Sequence, residues 1–251
     1  MDVREYWEDL ARTGMWSTAR LYGNRVDATN YNCLTRRECV QQLLAAEGHC
    51  ERILDIGCGT GDYFAIAEGH QASYHGIDWS WHMARGAAGK VNAQGRKHLV
   101  SVASGVGLPY ASNCFDVVLA IGYVEYFADP KVPMEEIRRV LKPGGILVMQ
   151  SFKRDLFGTL GRMLLWLRTG SNKSWPWERQ YSKRGLDSLL AGYGFSRMDY
   201  RFNNHWIFGR SFQMRWPNAY IRISEALNRI NSAWSSFLAV NYVGKYRLRK
   251  S

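Results

Sequence analysis

Short apolar runs alternate along the chain with stretches of helical spacing. Arg52–Ile56 (RILDI), Tyr74–Asp78 (YHGID) and His98–Val102 (HLVSV) have the length and turn-bounded ends of strands. Phe115–Ile121 (FDVVLAI) and Ile146–Gln150 (ILVMQ) are almost continuously apolar, as strands buried on both faces are. Helices are predicted between them: from the glycines after Ile56 through Ile66, from Ser80 to about Lys90, and over Val132–Leu141. In the last, Met134, Ile137, Val140 and Leu141 recur at helical spacing, and Lys142–Gly145 (KPGG) ends the run. Such alternation predicts an α/β, doubly wound architecture: a mostly parallel sheet covered by helices on both sides.

The later chain is less regular. Leu156–Arg168 reads as an amphipathic helix, followed by a loop containing Trp175, Pro176 and Trp177. A helix over Gly185–Ala191 leads into a strand at Phe195–Phe202, a helix over Asn218–Ile230 has Pro217 at its first turn, and Phe237–Leu248 is a final strand. One domain is expected: a helical N-terminal lid over residues 1–50, a half at 51–151 carrying the glycine motif, and a half at 152–251 with cap segments at 152–182 and 203–231.

Composition narrows the class. At 251 residues with 46% hydrophobic and 22% charged positions, the chain can bury a core. No apolar run reaches the eighteen or so residues of a membrane span, and mean hydropathy is −0.33. The start, MDVREYWEDL, lacks a signal-peptide or transit pattern. Five cysteines without a C-x-x-C pair predict reduced thiols, no disulfide framework and no metal site. A cytoplasmic protein is expected. Charge is lopsided: residues 1–150 hold 15 Lys+Arg against 17 Asp+Glu, residues 151–251 hold 18 against 5. The basic half fits an anionic partner or a merely solvated face, and charge alone does not choose.

The chemistry is written in Leu54–Asp62 (LDIGCGTGD). A strand ends there, and Gly57, Gly59 and Gly61 let backbone approach a ligand before a helix whose free N–H groups favour an anion. Asp78 ends the next strand, where a carboxylate accepts both hydroxyls of a ribose.

With LDIGCGTG (54–61), GIDWS (76–80), LPYASNCFDVVLAIGYVEYFADP (108–130) and EEIRRVLKPGGILVMQS (135–151) in this order, the chain resembles the class I S-adenosylmethionine-dependent methyltransferases. The likeness is nearest to the small-molecule branch that includes the quinone-biosynthesis enzymes. It implies a Rossmann-like seven-stranded sheet whose last strand is antiparallel, S-adenosyl-L-methionine as cofactor, and S-adenosyl-L-homocysteine as product. It also implies roles. Asp55, Gly57, Cys58, Gly59 and Gly61 would hold the methionine moiety, Asp78 the ribose, and Trp79 the adenine, with Met83 packed nearby. Relatives often carry an Asp at the position of Ser104; here Ser104 and Gly105 stand instead, so a hydroxyl or backbone amide takes over its contact. Ile121 and Gly122 would border the sulfonium.

Other readings stay open. A dinucleotide site shares the glycines, although its fingerprint is G-x-G-x-x-G rather than G-x-G-x-G. Cys58 fits as a small packing residue and Trp79 as a core residue. On the acceptor side, the candidates are Glu125, Tyr126 (where relatives often have His) and His205, each with a plain packing role as the alternative. The basic, Trp-rich cap fits a small or lipid-like acceptor, peripheral contact with an anionic membrane, or a second small core. Nucleic acid is less favoured, because AIGY replaces the Asn-Pro-Pro-Tyr pattern of base-modifying relatives. The alternatives to small-molecule methylation are an RNA or protein methyltransferase and a non-catalytic cofactor-binding module.

Overall fold

The computed structural model describes residues 3–13, 28–92, 98–152, 179, 181–205, 212, 215–229 and 239–250. Its centre is a seven-stranded sheet of order β3-β2-β1-β4-β5-β7-β6. The strands are β1 (Arg52–Ile56), β2 (Ser73–Asp78), β3 (Leu99–Val102), β4 (Phe115–Ile121), β5 (Leu141–Phe152), β6 (Phe195–His205) and β7 (Ala239–Leu248). The first five are parallel, and β7 runs antiparallel between β5 and β6. From β1 the chain winds outward to β3, then returns to place β4 on the other side of β1. That reversal opens a crevice at the carboxyl ends of β1 and β4, where ligands of such sheets bind.

Among the described residues the helices are α1 (Val3–Arg12), α2 (Ala28–Leu44), α3 (Phe64–Gly69), α4 (Trp81–Asn92), α5 (Lys131–Val140), α6 (Lys183–Gly192) and α7 (Pro217–Arg229). Alternation along each strand divides the core in two. Leu54, Val118, Leu147 and Met149 meet Met134, Ile137, Leu186 and Leu190 of α5 and α6. Ile53, Val117, Leu119 and Val148 meet Val40, Leu43 and Leu44 of α2, Phe64 of α3 and Ala87 of α4. The apolar character of β4 and β5 follows from this two-sided burial.

The elements differ from expectation mainly at their ends. α5 ends at Val140, before the Lys142–Gly145 segment expected to end it. That segment instead belongs to β5, which the chain enters directly at Leu141, with a register shift between Phe115 and Val117. β6 continues past Phe202 to His205, because its ladder with β7 runs on to Ala239. The segment 156–168, the loop of Trp175 and Trp177, and residues 206–211 lie outside the described residues.

Candidate active site

β1 delivers the chain to the glycine loop. The N–H groups of Gly57 and Cys58 both donate to the Ile77 carbonyl at 2.9 Å, tying the loop to the end of β2. Gly57, Gly59 and Gly61 have φ of 71°, 53° and 73°, the left-handed region that side chains disfavour. A Cβ on Gly59 would meet nothing within 4 Å, so this part of the loop faces open space. One on Gly61 would lie 3.2 Å from the Ala87 Cβ, so there glycine permits packing on α4.

Asp55 lies beneath the loop rather than on it. Its carboxylate is 1% exposed and accepts the Tyr74 hydroxyl at 2.6 Å. Burial raises it to about 7, against the Tyr74 hydrogen bond. The position makes it a support for the loop; the sequence reading missed Tyr74, which no motif marks. Cys58 likewise turns its thiol inward, toward Gly76. Burial pushes that thiol well above its ordinary range, which suits packing and not nucleophilic attack.

Asp78 sits where the strand ends at the crevice. Its Oδ2 accepts the Gly59 N–H and its Oδ1 the Ser80 N–H, both at 2.9 Å. Each oxygen therefore keeps a lone pair for a further donor. Burial raises this carboxyl to about 6, opposed by those backbone bonds. Trp79 is half-buried next to it, and Met83 is buried with its N–H on the Ser80 Oγ at 3.2 Å. Ser104 is exposed, its hydroxyl accepting the Val106 N–H at 3.4 Å. The Tyr123 ring presses on the Gly105 backbone so closely that a side chain there is excluded.

On the other flank, Ile121 and Gly122 close β4, and Ile121 pairs with Gln150 of β5. The turn Val124–Tyr126 follows. Glu125 is fully buried, and its carboxyl oxygens have no hydrogen-bond partner among the described residues. Burial pushes it up to about 8, against the backbone around Tyr123–Glu125 and the Arg36 charge. Tyr126 packs edge-on to Trp7 of α1 at 6.0 Å, and burial raises its phenol. α1 is fastened across the crevice side of α4: Glu8 accepts the Trp81 N–H at 3.1 Å and meets the His82 Nδ1 at 2.8 Å, a structural use of His82. His205 is the last residue of β6; its imidazole lies outside the described residues. The structure thus gathers Asp78, Ser104, Gly105 and the glycine loop on one flank and Glu125, Tyr126 and Gly122 on the other.

Residues 54–149 match the methyltransferase domain family. Over that stretch the chain is similar to the class I methyltransferases. S-Adenosyl-L-methionine is the cofactor of that class, and the chain is similar to several of its members. An O-methyltransferase (cnsE) of Penicillium expansum is 32% identical over 60% of this chain and 50% of its own length. Demethylmenaquinone methyltransferase of Geobacillus stearothermophilus is 34% identical over 49% of this chain and 54% of its own. The chain thus spans about half the length of these relatives. Magnesium protoporphyrin IX methyltransferase (ChlM) from Synechocystis PCC 6803, solved with S-adenosylhomocysteine bound, shares the fold over 98% of this chain and 97% of its own, at a TM-score of 0.66 and 15% identity. The [4+2]-cyclase SpnF does so over 99% and 96%, at 0.66 and 20%. A cyclase among the neighbours shows that this fold is not bound to one reaction.

The cofactor fits the domain's residues. Gly59 leaves open surface for a ligand to lie against backbone, and Asp78 has one acceptor position left on each oxygen for a vicinal diol. Sequence reasoning did not find Arg36, Thr35, Gln150, Asn203 and Asn241, which the structure brings together between α2 and the ends of β5, β6 and β7. The visible signal was a Gln closing an otherwise apolar strand.

Proposed function

We propose that this protein transfers a methyl group from S-adenosylmethionine to a small-molecule acceptor. The observation that carries the reading is the joining of the open glycine loop to Asp78 through the Gly59 N–H. The loop amide both braces the carboxylate and aims its remaining lone pairs at the crevice. Asp78 would hold the ribose hydroxyls, the loop backbone the methionine end, and Trp79, Met83, Ser104 and Gly105 the adenine.

S-Adenosylmethionine, when bound, supplies a methyl carbon activated on sulfur, and the bonding pair stays on sulfur as the methyl leaves. The chain's residues have three tasks: to align the acceptor, to exclude water and to take its proton. Gly122, with φ 66°, lets the backbone turn away at the end of β4, and Glu125 stands on the acceptor side of it. Raised to about 8, the carboxylate of Glu125 is a stronger base than an ordinary one, and its ionised form is the proton acceptor of this reading. Tyr126 and the α1 residue Trp7 roof it, and α1 acts as the lid over this flank.

The test is calorimetry with S-adenosylhomocysteine on the wild type and Asp78→Ala, beside turnover of S-adenosylmethionine in a metabolite extract. Loss of a charge-assisted pair should weaken binding by about 1.5–3 kcal/mol, roughly 10- to 150-fold. Turnover should give S-adenosylhomocysteine and a product heavier by one methylene. Unchanged affinity in folded Asp78→Ala rejects the ribose assignment, and binding without turnover leaves the cofactor-binding module.

A further inference from the structure

The end of the sheet beyond Gly122 holds a set of buried polar side chains with atoms that the fold leaves unpaired. Gln150 pairs with Val243, Phe152 with Asn241, and Asn241 with Asn203. Residues opposite one another share a face, and so do residues two apart. Val148 and Val243 belong to the core under α2, so Gln150, Asn241 and Asn203 face α2 as well. They span three strands, about 10 Å at the usual strand spacing. From α2, Thr35 and Arg36 answer them: the Asn203 Nδ2 donates to the Thr35 Oγ1 at 3.5 Å, and the Arg36 Nη1 to the Gln150 Oε1 at 3.4 Å. The Oε1 of Gln150 and the Oε1 of Glu125 converge on Gly122: a Cβ placed there would stand 3.7 Å from the first and 3.9 Å from the second.

Gln150, Asn203 and Glu125 are 0% exposed and Asn241 is 3% exposed. Yet both Glu125 oxygens, the Gln150 Nε2 and the Oδ1 atoms of Asn203 and Asn241 have no hydrogen-bond partner among the described residues. Buried polar atoms are almost always paired, and leaving them unpaired is costly. Five such atoms at the carboxyl edge, beside the cofactor crevice, are groups waiting for a ligand.

We propose that these groups recognise the acceptor, and that the acceptor is a neutral polyhydroxylated molecule held through two or more hydroxyls. The proposal rests on the methyl-transfer reading above and names its substrate class. With Glu125 ionised four of the five atoms accept and one donates; with it protonated three accept and two donate. A hydroxyl does both, giving one hydrogen and accepting through two lone pairs, so several hydroxyls satisfy the set. A hydrocarbon would leave all five unpaired. An ammonium group would meet the Arg36 guanidinium beside Gln150, a like charge in a buried place. One of the hydroxyls is the methyl acceptor: an O–CH3 bond forms as the methyl–sulfur bond breaks, and the hydroxyl proton passes to Glu125.

Asn203→Leu and Asn241→Leu test this, and the acceptor need not be identified first. Each removes an unpaired oxygen and keeps the branch at Cγ. The variants should bind S-adenosylhomocysteine within about twofold of wild type and melt within about 4 °C of it, because removing an idle buried oxygen offsets the added bulk and, for Asn203, the loss of the 3.5 Å bond to Thr35. Wild type given trideuteromethyl S-adenosylmethionine and an extract of the source cells should label an oxygen of a polyhydroxylated product, and both variants should lose that label at least tenfold. A label on nitrogen or carbon, full labelling by both variants, or a Tm fall of more than about 4 °C in both overturns the proposal. A wild type that binds S-adenosylhomocysteine but labels nothing defeats the methyl-transfer reading instead. The melting comparison then decides alone whether the pocket groups are idle: a fall of more than about 4 °C in both variants overturns the proposal, and a smaller change sustains the pocket as a ligand site without the methyl transfer.

Discussion

Replacing Gly59 with alanine separates what the glycine loop does for the fold from what it does for a ligand. Gly59 has φ 53°, and a Cβ there meets nothing within 4 Å. The fold therefore bears only the left-handed conformation of an alanine, about 1–2 kcal/mol. For a chain of this size each kcal/mol moves Tm by about 2–4 °C, so Gly59→Ala should melt about 2–8 °C lower. The new methyl stands on the surface where the cofactor would lie. Overpacking of about 1–3 kcal/mol predicts a roughly 5- to 150-fold loss of affinity for S-adenosylhomocysteine. Gly61→Ala is the contrast. It carries the same backbone strain at φ 73° and also drives a methyl to 3.2 Å from the Ala87 Cβ and 3.4 Å from its Cα. Ala87 belongs to α4 and has little room to give, so Gly61→Ala should lose clearly more stability than Gly59→Ala. Differential scanning calorimetry and titration calorimetry on both variants measure the two effects separately. If folded Gly59→Ala binds as well as wild type, no ligand rests on that part of the loop. If it is the less stable of the two, the packing argument is wrong.

Tyr74→Phe should cost about 1–3 kcal/mol, because the buried Asp55 carboxyl loses its donor at 2.6 Å; a variant as stable as wild type in urea would show that the bond contributes nothing. Stability of the ligand-free protein should fall as pH rises from about 5 to about 8.5. Burial raises Asp78 to about 6, Asp55 to about 7 and Glu125 to about 8, so across this window the folded state holds protons that the unfolded chain has released, and deprotonation favours unfolding. Tm measured across that window should decline, and Glu125→Gln should flatten the decline at its alkaline end; a Tm that climbs with pH contradicts the burial argument.

The strands and the glycine loop were legible in the sequence because their causes are local. Burial on both faces leaves β4 and β5 apolar without interruption, and the glycine spacing records a backbone conformation that side chains disfavour. A carboxylate closing β2 stands at a fixed place relative to that loop once the two strands are parallel neighbours. Tertiary structure decided the rest. Asp55 reads as a ligand-facing acid in the motif, but its carboxyl lies under the loop because Tyr74, from the neighbouring strand, meets it there. Glu125 and Tyr126 are adjacent in sequence, and what surrounds them comes from α1 and α2, far away along the chain. The polar cluster beyond Gly122 has no motif at all. Gln150, Asn203 and Asn241 are ordinary polar residues in three separate strands, and only the antiparallel insertion of β7 between β5 and β6 sets them on one face. Conformational preferences and burial act within a few residues and leave a pattern in the chain. A hydrogen-bonding surface assembled across strands depends on register, which no short stretch of sequence contains.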